Sequence, residues 1–208
     1  MYTKTNTTKG VILLQKIAFN AITNQQIIDT RLQHAYQTGS LKGAVNIPLA
    51  KFEKVASKLI SSKNSLVFIV DEAQTQQLDT LEAQALALGF PAPLSYLLLA
   101  EIPVDQLVQT QTISATDFLA TTNDYILLDV RDQANVTKPA PEKNLKTISL
   151  DDLASTYAQL DPEKEIYTLC GSGNSATTAA SFLNSHGHKA TVIEGGVKAI
   201  HEELDGSQ

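Results

Sequence analysis

Cys170 is the one cysteine of the 208-residue chain, and the residues that follow it are Gly171-Ser172-Gly173-Asn174-Ser175. The thiolate is the nucleophilic form of this side chain, so its surroundings decide whether it does chemistry. Gly171 and Gly173 can reach backbone angles closed to other residues. Successive N–H groups can then converge into one anion-binding concavity. A helix expected to open near Ser175 adds unpaired N-terminal donors and the positive end of its dipole. An anionic sulfur is favoured at that point, and a persulfide or a transferred oxyanion would meet the same donors. A buried cysteine that only fills space needs no glycine-rich loop directly behind it. The dinucleotide-binding fingerprint is not met, because no third glycine follows at the required place. Ser172 and Ser175 can donate to a bound anion or cap the helix.

The remaining chemistry-bearing residues are sparser. Asp129 and Arg131 stand two residues apart at the end of an apolar run, where they can position the cysteine loop or form a structural ion pair. His186 and His188 flank Gly187, but no cysteine or carboxylate cluster completes a metal site. They are read as exposed turn histidines, and His34 and His201 as isolated surface residues. No metal and no cofactor are expected. A lone cysteine forms no internal disulfide, which fits a reducing compartment. It also means that any exchange at Cys170 involves a second molecule.

Strand and helix signals alternate around these residues. Gln26-Ile27-Ile28-Asp29 and Tyr125-Ile126-Leu127-Leu128-Asp129 are short apolar runs ending in aspartate, each followed two residues on by Arg31 or Arg131. Leu66 to Asp71 and Glu165 to Cys170 are two further buried-strand candidates. Each leads to an expected helical segment, Leu78 to Leu88 and Ala176 to Ser185, closed by Gly89 and Gly187. These features recur about 100 residues apart, as a duplicated domain requires. The same offset lays Asp71 on Cys170. Strand–helix alternation implies a central, mainly parallel sheet with helices on both faces, twice over. The expected domains are 1–107 and 108–208, with Ser114 opening the first helix of the second.

Composition narrows the setting. The formal net charge of −6 with no run of like charge gives no general attraction for nucleic acid or anionic lipid. Lys4 and Lys9 precede Val11-Ile12-Leu13-Leu14, an apolar run too short for a signal peptide. No stretch approaches the roughly 18 apolar residues of a membrane span. The expected protein is soluble and cytoplasmic, with neither nucleic acid nor membrane as partner.

Over nearly its whole length the chain resembles the rhodanese (sulfurtransferase) superfamily in its tandem two-domain form. Asp29-Thr30-Arg31, Tyr36, and Gly39-Ser40-Leu41-Lys42-Gly43-Ala44-Val45-Asn46-Ile47-Pro48 are similar to a long stretch of the family pattern. Asp129-Val130-Arg131 matches its start again. Cys170 to Ser175 looks like the six-residue active-site loop, and Glu194-Gly195-Gly196 like the late glycine pair. The resemblance implies that Cys170 takes a sulfane sulfur from a donor, becomes a persulfide, and yields it to a nucleophilic acceptor. The donor is a small thiosulfate, persulfide or polysulfide. The acceptor is a thiol or other nucleophile, including one on a protein. Gly171, Ser172, Gly173, Asn174 and Ser175 would bind the sulfur, with Asp129 and Arg131 in support. The first domain would be silent, because Asp71 carries no sulfur and Glu72 adds a second carboxylate.

The loop departs from the family pattern in one respect. Ser175 stands where arginine is common, so the loop has no charged side chain, which favours a persulfide or polysulfide donor unless Arg131 or Lys198 reaches in. Lys138-Pro139-Ala140-Pro141 lies where the second domain lacks the long stretch kept by the first. Two other classes remain open. A degenerate pair could serve as a protein-binding or regulatory module. A cysteine phosphatase is disfavoured by the short loop and its missing arginine.

Overall fold

The computed structural model describes residues 14–206. Lys4, Lys9 and the apolar residues Val11-Ile12-Leu13 lie outside them. Two five-stranded parallel sheets divide the chain. The first half runs β1 (Leu14–Lys16), β2 (Gln26–Asp29), α1 (Gln33–Thr38), β3 (Ser40–Leu41), β4 (Val45–Asn46), α2 (Phe52–Leu59), β5 (Leu66–Val70), α3 (Leu78–Ala87), β6 (Leu94–Leu98) and β7 (Leu107–Val108). The second half runs β8 (Thr112–Ile113), α4 (Ala115–Leu119), β9 (Tyr125–Asp129), β10 (Leu145–Thr147), α5 (Leu153–Thr156), β11 (Glu165–Leu169), α6 (Asn174–Ser185), β12 (Lys189–Ile193) and α7 (Gly196–Gly206).

The strand orders are β1-β6-β5-β2-β4 and β10-β9-β11-β12-β8. Superposing β2 on β9 and β5 on β11 brings the other strands into correspondence, so the repeat seen in the sequence is a repeat of topology. Strands β5 and β11 lie in the middle of their sheets. β5 is a continuous apolar run and β11 is buried from Ile166 to Leu169, because helices cover both faces of a parallel sheet. β7 pairs antiparallel with β3 of the first half, and β8 pairs with β12 of the second. The chain therefore passes from one half to the other between Val108 and Thr112. Among the described residues, no helix is long and apolar enough to cross a membrane.

Each Asp-x-Arg motif closes the C-terminal end of its strand with a bidentate ion pair. Arg31 Nη2 donates to Asp29 Oδ2 at 2.6 Å and to the Gly39 carbonyl at 2.7 Å, and Ser40 Oγ donates to Asp29 Oδ2 at 2.6 Å. Arg131 repeats this with Asp129 at 2.6 Å and sends Nη1 to the Lys138 carbonyl at 2.8 Å. The first pair is buried, with the Asp29 side chain 0% exposed, while Arg131 stays 13% exposed. Asp29→Ala leaves a buried guanidinium without its partner, so a loss of about 3–5 kcal/mol is expected. Asp129→Ala should cost visibly less, because water reaches Arg131. Urea unfolding of the two variants checks that order, and equal losses would contradict it.

The halves share one apolar core, in which Phe52, Phe68 and Leu98 join Ile166, Ala179 and Phe182. The seam runs along α6. Asn46 N–H donates to Ser181 Oγ at 2.9 Å, and Gln37 Nε2 donates to Thr177 Oγ1 at 2.8 Å. Lys58 of α2 pairs with Asp151 across the same seam. The small residues Ala176, Ala179 and Ala180 on α6 are fully buried, which lets the two domains approach closely along this helix.

Candidate active site

Strand β11, in the middle of its sheet, delivers Cys170 to its C-terminal end, and α6 starts four residues later. The cysteine is 4% exposed. Its Sγ accepts the backbone N–H of Gly173 at 3.1 Å and of Ala176 at 3.3 Å. Gly173 caps α6 and Ala176 lies in its first turn, where N–H groups have no partner within the helix. The sulfur therefore sits on the positive end of the helix, an arrangement that stabilises an anionic sulfur.

Two glycines shape this cradle. Gly173 is the residue before the helix and adopts φ +92°, a region that favours glycine. Gly171 does not need such an angle, and a Cβ there would meet nothing within 4 Å. The second glycine that matters is Gly196, at φ +61°. A Cβ on it would lie 2.3 Å from the Cys170 carbonyl oxygen and 3.0 Å from Gly173 N. The start of α7 thus packs directly against the cysteine loop, and Val197 N–H donates to the Cys170 carbonyl at 2.8 Å. The loop is held from below by a glycine backbone more than twenty residues downstream.

The expected loop residues do come together. Cys170, Gly171, Ser172, Asn174 and Ser175 line one cleft of about 580 Å³. Neither serine caps the helix, however; its first residue follows Gly173 with no side-chain cap. Arg131 lines the cleft too, but its guanidinium is committed to Asp129 and to the Lys138 carbonyl. Lys198 is not in the cleft: it is 71% exposed and lies 3.8 Å from Glu202 on its own helix.

The opposite wall comes from the first domain, as an active cysteine facing the cleft between the domains requires, but its lysines are residues the sequence reading does not single out. Lys51, Lys54 and Val55 line the same cleft. With Lys58 they follow the i, i+3, i+4, i+7 spacing of one helical face, and that spacing was the available signal. Asp132 and Asp151 complete the charged lining. Asp151 is engaged by Lys58, and Asp132 accepts the Ala134 N–H at 3.1 Å.

Asp71 occupies the position in the first domain that Cys170 holds in the second, directly after the central strand. Its carboxylate accepts the Gln74 N–H at 2.9 Å while the Gln74 side chain accepts the Asp71 N–H at 3.1 Å. This capping box fills with a built-in carboxylate the place where an anion would sit. The histidine reading needs one correction. His188 is buried rather than an exposed turn residue, and burial holds its imidazole below the ordinary range. His186 packs on Tyr157 and Phe182 and is hydrogen-bonded at 2.8 Å to the Phe182 carbonyl. Among the described residues no group of histidine, cysteine and carboxylate side chains could hold a metal ion.

The model of the rhodanese-like domain matches residues 14–98 and again 114–203. No curated protein matches the chain. Among solved structures, a rhodanese-related protein from Thermoplasma volcanium is 26% identical, with a TM-score of 0.42, over 45% of this chain and 92% of its own. The polysulfide-sulfur transferase homodimer of Wolinella succinogenes is 29% identical, with a TM-score of 0.39, over 46% of this chain and 75% of its own. A probable thiosulfate sulfurtransferase is 18% identical, with a TM-score of 0.40, over 89% of this chain and 98% of its own.

Proposed function

The chain belongs to the rhodanese-like domain family, and from that premise we propose that it is a sulfurtransferase working through a persulfide on Cys170. The observation that carries this reading is the pair of backbone N–H groups on Cys170 Sγ at the open mouth of a cleft. In the first half-reaction the Cys170 thiolate attacks the outer sulfur of the donor. A sulfur–sulfur bond forms to Sγ, and the donor's own bond breaks, its remainder leaving with the electron pair. In the second half-reaction a nucleophilic acceptor, such as a thiolate, attacks the outer sulfur of the persulfide and Cys170 leaves as thiolate. This is ping-pong chemistry with one covalent intermediate.

The residues around the sulfur have distinct parts in this reading. Gly173 and Ala176 N–H groups stabilise the sulfur anion as it leaves. Ser172, Asn174 and Ser175 offer polar side chains to the donor. Asp129 and Arg131 position the loop: Val130 N–H donates to the Leu169 carbonyl at 2.9 Å, directly before Cys170. The first domain is silent in catalysis, with Asp71 capped in the cysteine position. A phosphatase reading has less support, because phosphoryl transfer needs strong charge stabilisation and the one arginine at the cleft is bound to Asp129. A reducing compartment such as the cytoplasm would keep Cys170 available.

Incubating the reduced protein with polysulfide and, separately, with thiosulfate tests the reading by intact-protein mass spectrometry. The expected product gains one sulfur, and a thiol acceptor removes it. Failure to load from either donor would overturn the proposal in favour of a binding module.

A further inference from the structure

The loop around Cys170 carries no cation, yet the cleft it faces is not without them. Lys51 ends a short 3-10 turn and Lys54 lies in the first turn of α2, so both come from the first domain. Both line the cleft opposite Gly171, Ser172 and Ser175. Lys58, one turn further along the same face, is tied to Asp151 of the second domain. Val55 between them contributes to the cleft and packs against the shared core. The helix is therefore anchored to the second domain at one end and presents its other cations over the cysteine loop.

Neither Lys51 nor Lys54 forms an ion pair among the described residues. The acidic residues of the cleft do not offset them fully. Asp151 is balanced by Lys58, Arg131 by Asp129, and Asp132 alone stands against two lysines. The mouth of the cleft is thus net positive on a chain whose formal charge is −6. An excess of cation facing a sulfur nucleophile selects an anionic ligand, whose charge is focused by the low-dielectric walls.

We propose that Lys51 and Lys54 of the silent first domain bind the sulfonate end of a thiosulfate donor, and so select that dianion from the donors the family resemblance implies. The proposal rests on the persulfide reading above. The thiolate attacks the outer sulfur of thiosulfate, the new bond joins it to Sγ, and sulfite departs with the electron pair of the broken bond. The sulfonate end, remote from the sulfur transferred, is the part that meets the lysines. The duplicated domain then supplies the charge that Ser175 leaves out of the loop. The two domains form one site even though only one of them carries a nucleophile.

The test is the rate of one-sulfur loading on Cys170 against thiosulfate concentration, in wild type, Lys51→Gln, Lys54→Gln and the double variant. Both lysines are exposed, so the substitutions spare the core. The half-saturating concentration should rise about 3–10-fold for each single change and about 10–100-fold for the pair, while the limiting rate stays within about 3-fold. Raising the ionic strength should weaken wild-type saturation and have much less effect on the double variant. Unchanged saturation in the double variant would overturn the proposal and leave the persulfide reading standing. So would a wild type that loads from polysulfide but never from thiosulfate. A wild type that loads from neither would sink both.

Discussion

Cys170→Ala is expected to leave less than about one part in 10⁴ of the sulfur-transfer rate, because removing a covalent nucleophile removes its whole reaction path. No second thiol exists in the chain to take over. The aspartate at the equivalent place in the first domain is turned into a helix cap. The variant should still fold. It deletes one buried atom from a residue 4% exposed, worth about 1 kcal/mol, and frees the Gly173 and Ala176 N–H groups at a site open to water. Cys170→Ser gives a sharper comparison. A serine oxygen can accept from the same two N–H groups, so stability should approach wild type while transfer is still lost. Sulfite release with thiosulfate, the mass of the loaded protein and the thermal midpoint separate the two effects. An adduct that persists in either variant would place the reactive group elsewhere.

The parts legible in the sequence were those fixed by local pattern. Buried parallel strands are rich in apolar and β-branched residues, so the unbroken run Leu66–Val70 and the mostly apolar Glu165–Leu169 are legible as strands. The offset between the halves then aligned Asp71 with Cys170 without any structure. Edge elements were harder. β10 is a three-residue strand with half-buried and exposed positions, and such a strand has no periodicity to detect. Between the two roles open to Ser172 and Ser175 the sequence does not decide: a glycine in the left-handed region, Gly173, opens the helix without any side-chain cap, so serine nearby is no guide. The lysines of the cleft were hidden in another way. Lys51, Lys54 and Lys58 form an ordinary charged stripe on a helix, and only the packing of α2 against the second domain turns that stripe toward Cys170. Tertiary contact between domains leaves little mark in either domain's sequence. The late glycine pair stands out by resemblance alone, because its physical reason lies in a contact between segments far apart in the chain.

That contact sets the second large effect. Gly196→Ala is expected to slow Cys170 loading about 100-fold and to destabilise the protein by about 2–4 kcal/mol. The new Cβ would stand 2.3 Å from the Cys170 carbonyl oxygen and 3.0 Å from Gly171 C and Gly173 N. All three are backbone atoms, so no flexible side chain can move aside. The residue also keeps φ +61°, which costs a non-glycine residue about 1 kcal/mol or more. Either α7 shifts and weakens the Val197 N–H bond to the Cys170 carbonyl, or the loop shifts and carries Gly173 N–H away from Sγ. Displacements near 1 Å at a reacting centre cost rates of this order. Gly187→Ala separates strain from displacement. Gly187 has a similar angle, φ +85°, but a Cβ there would meet nothing within 4 Å. It should lose about 1 kcal/mol of stability and load at the wild-type rate. Thermal unfolding alongside loading kinetics distinguishes the two variants. If Gly196→Ala loaded as fast as Gly187→Ala, α7 would not be what holds the cysteine loop in register with the helix behind it.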